Sequence, residues 1–327
     1  MKKLLSAIAA GVMIVALAGC SASVTGAAGS GGGSGSKAIV VGFSQVGAES
    51  GWRTANTVSI QSSFKKAAID LKFSDAQGKQ ENQIKAIRSF IQQKVDVIAF
   101  SPVVESGWDT VLQEAKAAKI PVVLTDRAVD SKDKTLYVSF LGSDFLKEGE
   151  KAGDWVKKEF PDKTVVNIAE ISGTTGSAPA NDRAKGLRDV LGNDSKYKIV
   201  ASQTGDFTRA GGKQVMEALL KSTPNIDLVY AHNDDEGLGA IEAIEAAGKV
   251  PGKDIRILTL DATHDGLQAL ADGKINYVVE CSPLLGDQLV NIVKDIVAKK
   301  TVPQRILTVE TTFDQAQAIA ALPTRKY

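Results

Sequence analysis

From Lys37 onward the chain alternates between short β-branched runs and longer segments whose apolar residues recur at helical spacing. The runs KAIVVGF (37–43), DVIAFS (96–101), IPVVLT (120–125), TLYVSF (135–140), VVNIAEI (165–171), KIVASQ (198–203), DLVYA (227–231), IRILTL (255–260) and NYVVE (276–280) predict strands. Between them, Ile84, Ile87, Ile91 and Val95 mark the apolar face of one helix, and Leu238, Ile241, Ile244 and Ala247 that of another. Gly248 and Pro251 supply the stop expected beyond the second. Repeated strand–helix units imply α/β architecture, with doubly wound parallel sheets covered by helices on both faces. About 290 residues follow position 36, more than one core usually serves, which predicts two domains.

Such sheets bind ligands at the carboxyl ends of their strands, and polar residues gather there. FSQVGAESGWR, after the first run, carries Glu49, Ser50, Gly51, Trp52 and Arg53. Asp126 and Arg127 follow IPVVLT; His232, Asn233, Asp234 and Asp235 follow DLVYA; Asp261 follows IRILTL. Arg183 lies near the start of the helix after VVNIAEISGTTGS. One Asp or Asn at such a place is an ordinary helix cap, and solvated capping is the reading for Asp234 and Asp235. Arginine is a poor cap, so Arg53, Arg127 and Arg183 point to a site. Carboxylates, amides and guanidinium forks pair well with sugar hydroxyls, which both donate and accept. Trp52 offers an apolar face to a sugar ring, or alternatively anchors the first helix in the core. Three arginines also suit an anion, but Glu49, Asp126 and Asp261 would repel one, which tilts the reading toward a neutral polyol.

The ends and the composition narrow the class. Two lysines precede a 14-residue apolar run, Leu4–Leu17, too short to span a bilayer comfortably, so residues 1–19 read as a signal peptide. Leu17-Ala18-Gly19-Cys20 resembles a bacterial lipobox, which implies a lipidated Cys20 at the new amino terminus. Ser21–Ser36 is uncharged, has six glycines, and reads as a flexible tether reaching roughly 20–25 Å. The chain carries a net charge of +1, and losing residues 1–19 removes two lysines and no acid. A nearly neutral chain argues against nucleic-acid binding. With Cys20 lipidated, Cys281 is the one remaining cysteine, so no disulfide framework is expected and Cys281 is a free, inert thiol.

Signatures of catalysis are mostly missing. There are two histidines, no HExxH, no GxSxG elbow and no phosphate-binding GxxxxGK[ST] loop. Gly173-Thr174-Thr175-Gly176 reads as a tight turn or a ligand contact. No catalytic residue, metal or cofactor is expected.

The stretches VGFSQVGAESGWR, GKQENQIKAIRSFI, VDVIAFSPVVESGWDTVLQEAK, IPVVLTDRAVD, QTGDFTRAGGKQVME, VYAHNDDEGLGAIEAI and GKDI resemble the sugar-binding proteins of ABC importers in the type I periplasmic-binding class, and most closely their galactofuranose-binding members. The resemblance implies two domains joined by three crossovers, residues 37–139 plus 282–308 and 140–281 plus 309–327. It implies a monosaccharide held between them. Glu49–Arg53 and Asp126-Arg127 would form the walls of one domain, and Arg183, Asn233 and Asp261 would complete the ring from the other. It further implies a monomer that docks on a membrane permease driven by a separate ATPase, outside the cytoplasm. Family members in diderm cells are usually soluble in the periplasm, whereas Cys20 predicts a membrane-anchored form. ISGTTGSAPANDRAKG also departs from the family around Arg183, including Asn181. Rival readings are a carrier of another pentose or hexose feeding a sensor or chemoreceptor, a secreted carbohydrate-active enzyme, and a lactose-repressor-like factor. The last lacks its basic DNA-binding domain here.

Overall fold

The computed structural model describes residues 38–327, so Cys20, the leader and the tether lie outside the described residues. β1 (Val40–Gln45), α1 (Gly51–Lys66), β2 (Asp70–Asp75), α2 (Gln80–Gln92), β3 (Val97–Phe100), α3 (Asp109–Ala117), β4 (Val122–Thr125) and β5 (Ser139–Gly142) build a first lobe. The chain then crosses to a second lobe. It forms α4 (Phe145–Glu159), β6 (Val166–Ser172), α5 (Ala178–Leu191), β7 (Tyr197–Thr204) and α6 (Arg209–Ser222), then β8 (Leu228–Ala231), α7 (Asp234–Ala246), β9 (Arg256–Asp261), α8 (His264–Ala271) and β10 (Tyr277–Glu280). It returns for α9 (Gly286–Val297) and β11 (Arg305–Leu307), and crosses once more for β12 (Thr312–Phe313) and α10 (Gln315–Ala321).

The first sheet has the order β11-β5-β4-β3-β1-β2 and the second β12-β10-β9-β8-β6-β7. All pairs are parallel except β10–β12. Successive strand residues point to opposite faces and fill separate cores. Ile98 and Phe100 join Phe90, Trp108 and Leu112 on one face of the first sheet, while Val97 and Ala99 join Phe64, Leu289 and Val293 on the other. In the second sheet Val229 and Ala231 meet Met216 and Ile244, and Leu228 and Tyr230 meet Val156 and Leu187. Each such aliphatic or aromatic side chain contributes about 1.5–3 kcal/mol of burial.

All nine sequence-predicted strands form, with one adjustment. The start of the 135–140 run winds into a 3-10 turn, Lys134–Leu136, and β5 extends to Gly142. The stop at Gly248 is also present, with φ +73 after α7. Strands β2, β11 and β12 were not predicted.

The three crossings are tied together by one carboxylate. Glu310 Oε1 accepts from Ser143 Oγ on the first crossing, Ser282 N at 2.9 Å on the second and Thr308 Oγ1 at 2.7 Å on its own. In the second lobe α4 and α5 meet at glycines. A Cβ on Gly186 would lie 2.2 Å from the Leu146 carbonyl oxygen, and one on Gly149 would lie 2.4 Å from that of Arg183. This close approach sets Glu148 of α4 beside Arg183 of α5. Gly186→Ala is therefore expected to lower stability by about 1–3 kcal/mol through overpacking. Urea denaturation measures it, and an unchanged midpoint would show that the helices separate freely.

Candidate functional site

The carboxyl ends of both parallel sheets face a shared cleft. Between them lies a small, tight cavity lined by side chains of both lobes. Ser50 caps α1 by accepting from Arg53 N at 3.1 Å, which starts the helix so that Trp52 and Arg53 point into the cleft. Arg53 is 2 % exposed; its Nη2 donates to Asp126 Oδ2 at 2.6 Å and its Nε to Glu49 Oε1 at 3.0 Å. Ser101 Oγ also donates to Asp126 Oδ2, at 3.0 Å. Asp126 sits at φ +59, and Gly142 makes this possible, since a Cβ there would lie 2.7 Å from the Asp126 carbonyl oxygen.

Arg127 donates from Nη2 to the same Glu49 Oε1 at 3.2 Å. Its guanidinium lies over the Phe207 ring, 5.2 Å from the centroid. Two buried atoms of this wall have no hydrogen-bond partner, Glu49 Oε2 and Arg127 Nε, the latter 3.7 Å from Asp126 Oδ2. Burial and the neighbouring Arg53 push the Arg127 guanidinium down to about 10. Burial alone would raise the Glu49 carboxyl, but Arg53 and Arg127 hold it below the ordinary carboxylate range.

The second lobe supplies the opposite wall. Arg183 donates from Nε to Glu148 Oε2 at 2.7 Å and from Nη1 to the His232 carbonyl; its Nη2 is 3.7 Å from Asp261 Oδ1. Asp261 is the last residue of β9, at φ +118, a conformation of the kind that costs roughly 1–3 kcal/mol and collects at functional sites. Burial pushes its carboxyl well up, and Arg183 offsets this only in part. Asn233 caps α7 by accepting from Glu236 N at 2.8 Å and donates to the Phe207 carbonyl at 3.0 Å. Glu236 Oε1 in turn accepts the Phe207 N–H at 2.9 Å. Gly173 leaves room for that ring, since a Cβ there would lie 1.9 Å from it.

Of the ten sequence-predicted ligand contacts, Glu49, Ser50, Trp52, Arg53, Asp126, Arg127, Arg183, Asn233 and Asp261 line this one cavity. Gly51 does not; its N–H donates instead to Asp235 Oδ2 at 2.7 Å. Trp52 lines the cavity and is also anchored, packing with Phe145, Ala178 and Cys281 while its Nε1 donates to the Cys281 carbonyl at 2.7 Å. Solvated capping does not describe Asp234. It is fully buried and accepts from Thr259 Oγ1 at 2.6 Å and from Thr263 N at 2.7 Å, so its role is to brace α7 against β9. Sequence reasoning missed Phe145, Pro179, Phe207 and Cys281 in the lining. Phe145 and Phe207 lie just beyond β5 and β7, so the strand-end rule applied to apolar residues would have found them.

Cys281 is a free, buried thiol, raised well above its ordinary value by burial and by the nearby Glu148 and Glu310 carboxylates. Glu148, Cys281 and Glu310 offer ligand atoms within 4.8 Å of one another. Arg183 already supplies the positive charge at Glu148, and three donors occupy Glu310 Oε1.

Fold and cleft define a two-lobed binding protein, and the comparisons agree. Residues 41–301 match the periplasmic binding protein domain, so the chain belongs to that family, one of binding proteins rather than enzymes. A crystal structure from Mycobacterium smegmatis in complex with beta-D-fucofuranose is 62% identical, with a TM-score of 0.86 over 88% of this chain and 95% of that one. The periplasmic component of the arabinose ABC transporter from Shewanella sp. ANA-3, bound to alpha and beta-L-arabinofuranose, is 46% identical, with a TM-score of 0.84 over 88% and 96%. The galactofuranose-binding protein YtfQ of Escherichia coli (strain K12) is 46% identical over 84% of this chain and 87% of its own length.

Glu236 gives the site a pH dependence. Burial pushes its carboxyl from the ordinary 4.5 to about 8. The folded state therefore holds this proton more tightly than the unfolded chain does. The stability it contributes is complete below about pH 4.5 and is lost as pH rises through 8. Glu236→Gln keeps an acceptor for Phe207 N–H and removes that loss. The Tm of the variant minus that of the parent should increase from pH 5 to pH 9. A flat or falling difference in thermal melts would contradict this.

Proposed function

We propose that this chain is the extracytoplasmic binding component of an ABC importer that captures a monosaccharide in its furanose form. One observation carries the reading. Two Arg–Asp pairs, Arg53–Asp126 and Arg183–Asp261, line a small cavity in which Glu49 Oε2 and Arg127 Nε have no hydrogen-bond partner. A hydroxyl group can satisfy both an orphan acceptor and an orphan donor. Three guanidiniums set against Glu49, Asp126 and Asp261 balance formal charge, which suits a neutral ligand. Trp52, Phe145 and Phe207 present ring carbons to its C–H face. The solved relatives bound to fucofuranose and arabinofuranose support the furanose form.

The two lobes are its domains, the chain acts as a monomer, and no residue catalyses a reaction. A membrane permease with its ATPase is the partner that receives the sugar. Among the described residues no helix is long and apolar enough to cross a membrane, and attachment rests on the lipid carried by Cys20.

The test is a thermal-melt panel on residues 37–327 with galactofuranose, arabinose, fucose, ribose, fructose and pyranose-locked methyl glycosides. A ligand at a thousand times its Kd stabilises the folded state by about 4 kcal/mol, a shift of several degrees. Furanose-forming sugars should shift Tm and locked pyranosides should not; a flat panel sinks the proposal. Arg53→Ala or Asp126→Ala should stay folded and weaken binding by about 1.5–3 kcal/mol, read by calorimetry. Unchanged affinity would remove that wall from the site. For the anchor, Cys20→Ala should move the protein from the membrane to the soluble fraction. If it stays with the membrane, lipid on Cys20 is not what holds it there.

A further inference from the structure

Asp235 is the second residue of α7 in the second lobe, yet its Oδ2 accepts from the N–H of Gly51, the first residue of α1 in the first. The partners are 184 residues apart, and the bond spans the cleft at its lip. The first turn of α1 contains no acidic residue. Its opening N–H groups carry the helix's partial positive charge and need an acceptor. The first turn of α7 has three acids, Asp234, Asp235 and Glu236. Asp234 is committed to Thr259 and Thr263, and Glu236 to Phe207. Asp235 alone reaches outward. Arg209 steadies it, donating from Nε to Oδ1 at 3.3 Å and from Nη2 to Asp265 Oδ2 at 3.1 Å.

With the lobes together, two helix N-termini converge on the lip and would repel. The Asp235 carboxylate lies between them and is favourable to both. Parting the lobes breaks the bond to Gly51 and leaves the bond to Arg209 intact. We infer that Asp235 is a positioning residue for closure, which slows ligand release by joining the lobes through the start of α1 without lining the cavity. This rests on the reading of the cleft as a sugar site.

The experiment compares Asp235→Ala, Asp235→Asn and Asp265→Ala with the parent protein. Stopped-flow measurements use the sugar that the melt panel identifies. Asp235→Ala should release it roughly tenfold faster, with association and the sugar-free Tm little changed. Asp235→Asn keeps an acceptor and should fall between. Asp265→Ala, which perturbs Arg209 without touching the first lobe, should behave as the parent. Equal release rates in parent and Asp235→Ala, or an equal effect from Asp265→Ala, would overturn the inference. If no sugar shifts the parent, the furanose reading fails separately. Asp235 is then judged by small-angle scattering of the sugar-free proteins. A larger radius of gyration for Asp235→Ala supports closure, and identical profiles overturn it.

Discussion

Three guanidinium groups buried between two sheets set the terms for everything around them. A buried charge left unpaired costs several kcal/mol, and only close carboxylates with well-aligned hydrogen bonds offset that. Arg53 is held by Asp126 and Glu49, and Arg183 by Glu148 and the more distant Asp261. Arg127 is the least compensated, sharing Glu49 and leaning on the Phe207 ring. These bonds fix the side chains before any ligand arrives, and a rigid arrangement loses less freedom on binding. The charges that make the cavity polar also make it stiff.

That stiffness has to coexist with a joint. Trp52, Phe145, Ala178 and Cys281 form a small apolar cluster drawn from both lobes and from the second crossing. Behind it, Glu310 gathers donors from all three crossings onto one oxygen. Displacing any crossing alone would strand part of this set, so the three strands are held to move together.

Much of this was legible in the sequence because burial on both faces writes a parallel strand as a continuous apolar run. VVLT of β4 and LVYA of β8 are fully buried and unmistakable. The edge strand β2, DLKFSD, alternates between half-buried and exposed positions, so it gave no such signal. β11 and β12 are three and two residues long, too short for a pattern. The charged wall could be read because arginine at a strand end has no structural excuse. Phe145 and Phe207 carried only their strand-end position as a signal, since a phenylalanine beside a strand otherwise looks the same whether it meets the core or a cavity. Glu148 was hidden for another reason. It lies one turn inside α4, and only the glycine contact with α5 brings it to Arg183.

The two sheets share one strand order, and the likeness extends to charge. Asp126 and Asp261 follow or end corresponding strands, β4 and β9, and Arg53 and Arg183 lie in the helices after β1 and β6. The clamp is thus nearly twofold symmetric, whereas a sugar ring is not. Handedness has to come from residues without a counterpart. Counted from the ends of corresponding strands, Glu49 corresponds to Gly176, Arg127 to Thr263, Asn233 to Pro102 and Phe207 to Gly78. Those four residues line the cavity and their counterparts do not, so they are where the two walls differ. The unmatched lining is charged in the first lobe and amide and aromatic in the second, so the cavity has two unlike ends although its sheets repeat one pattern.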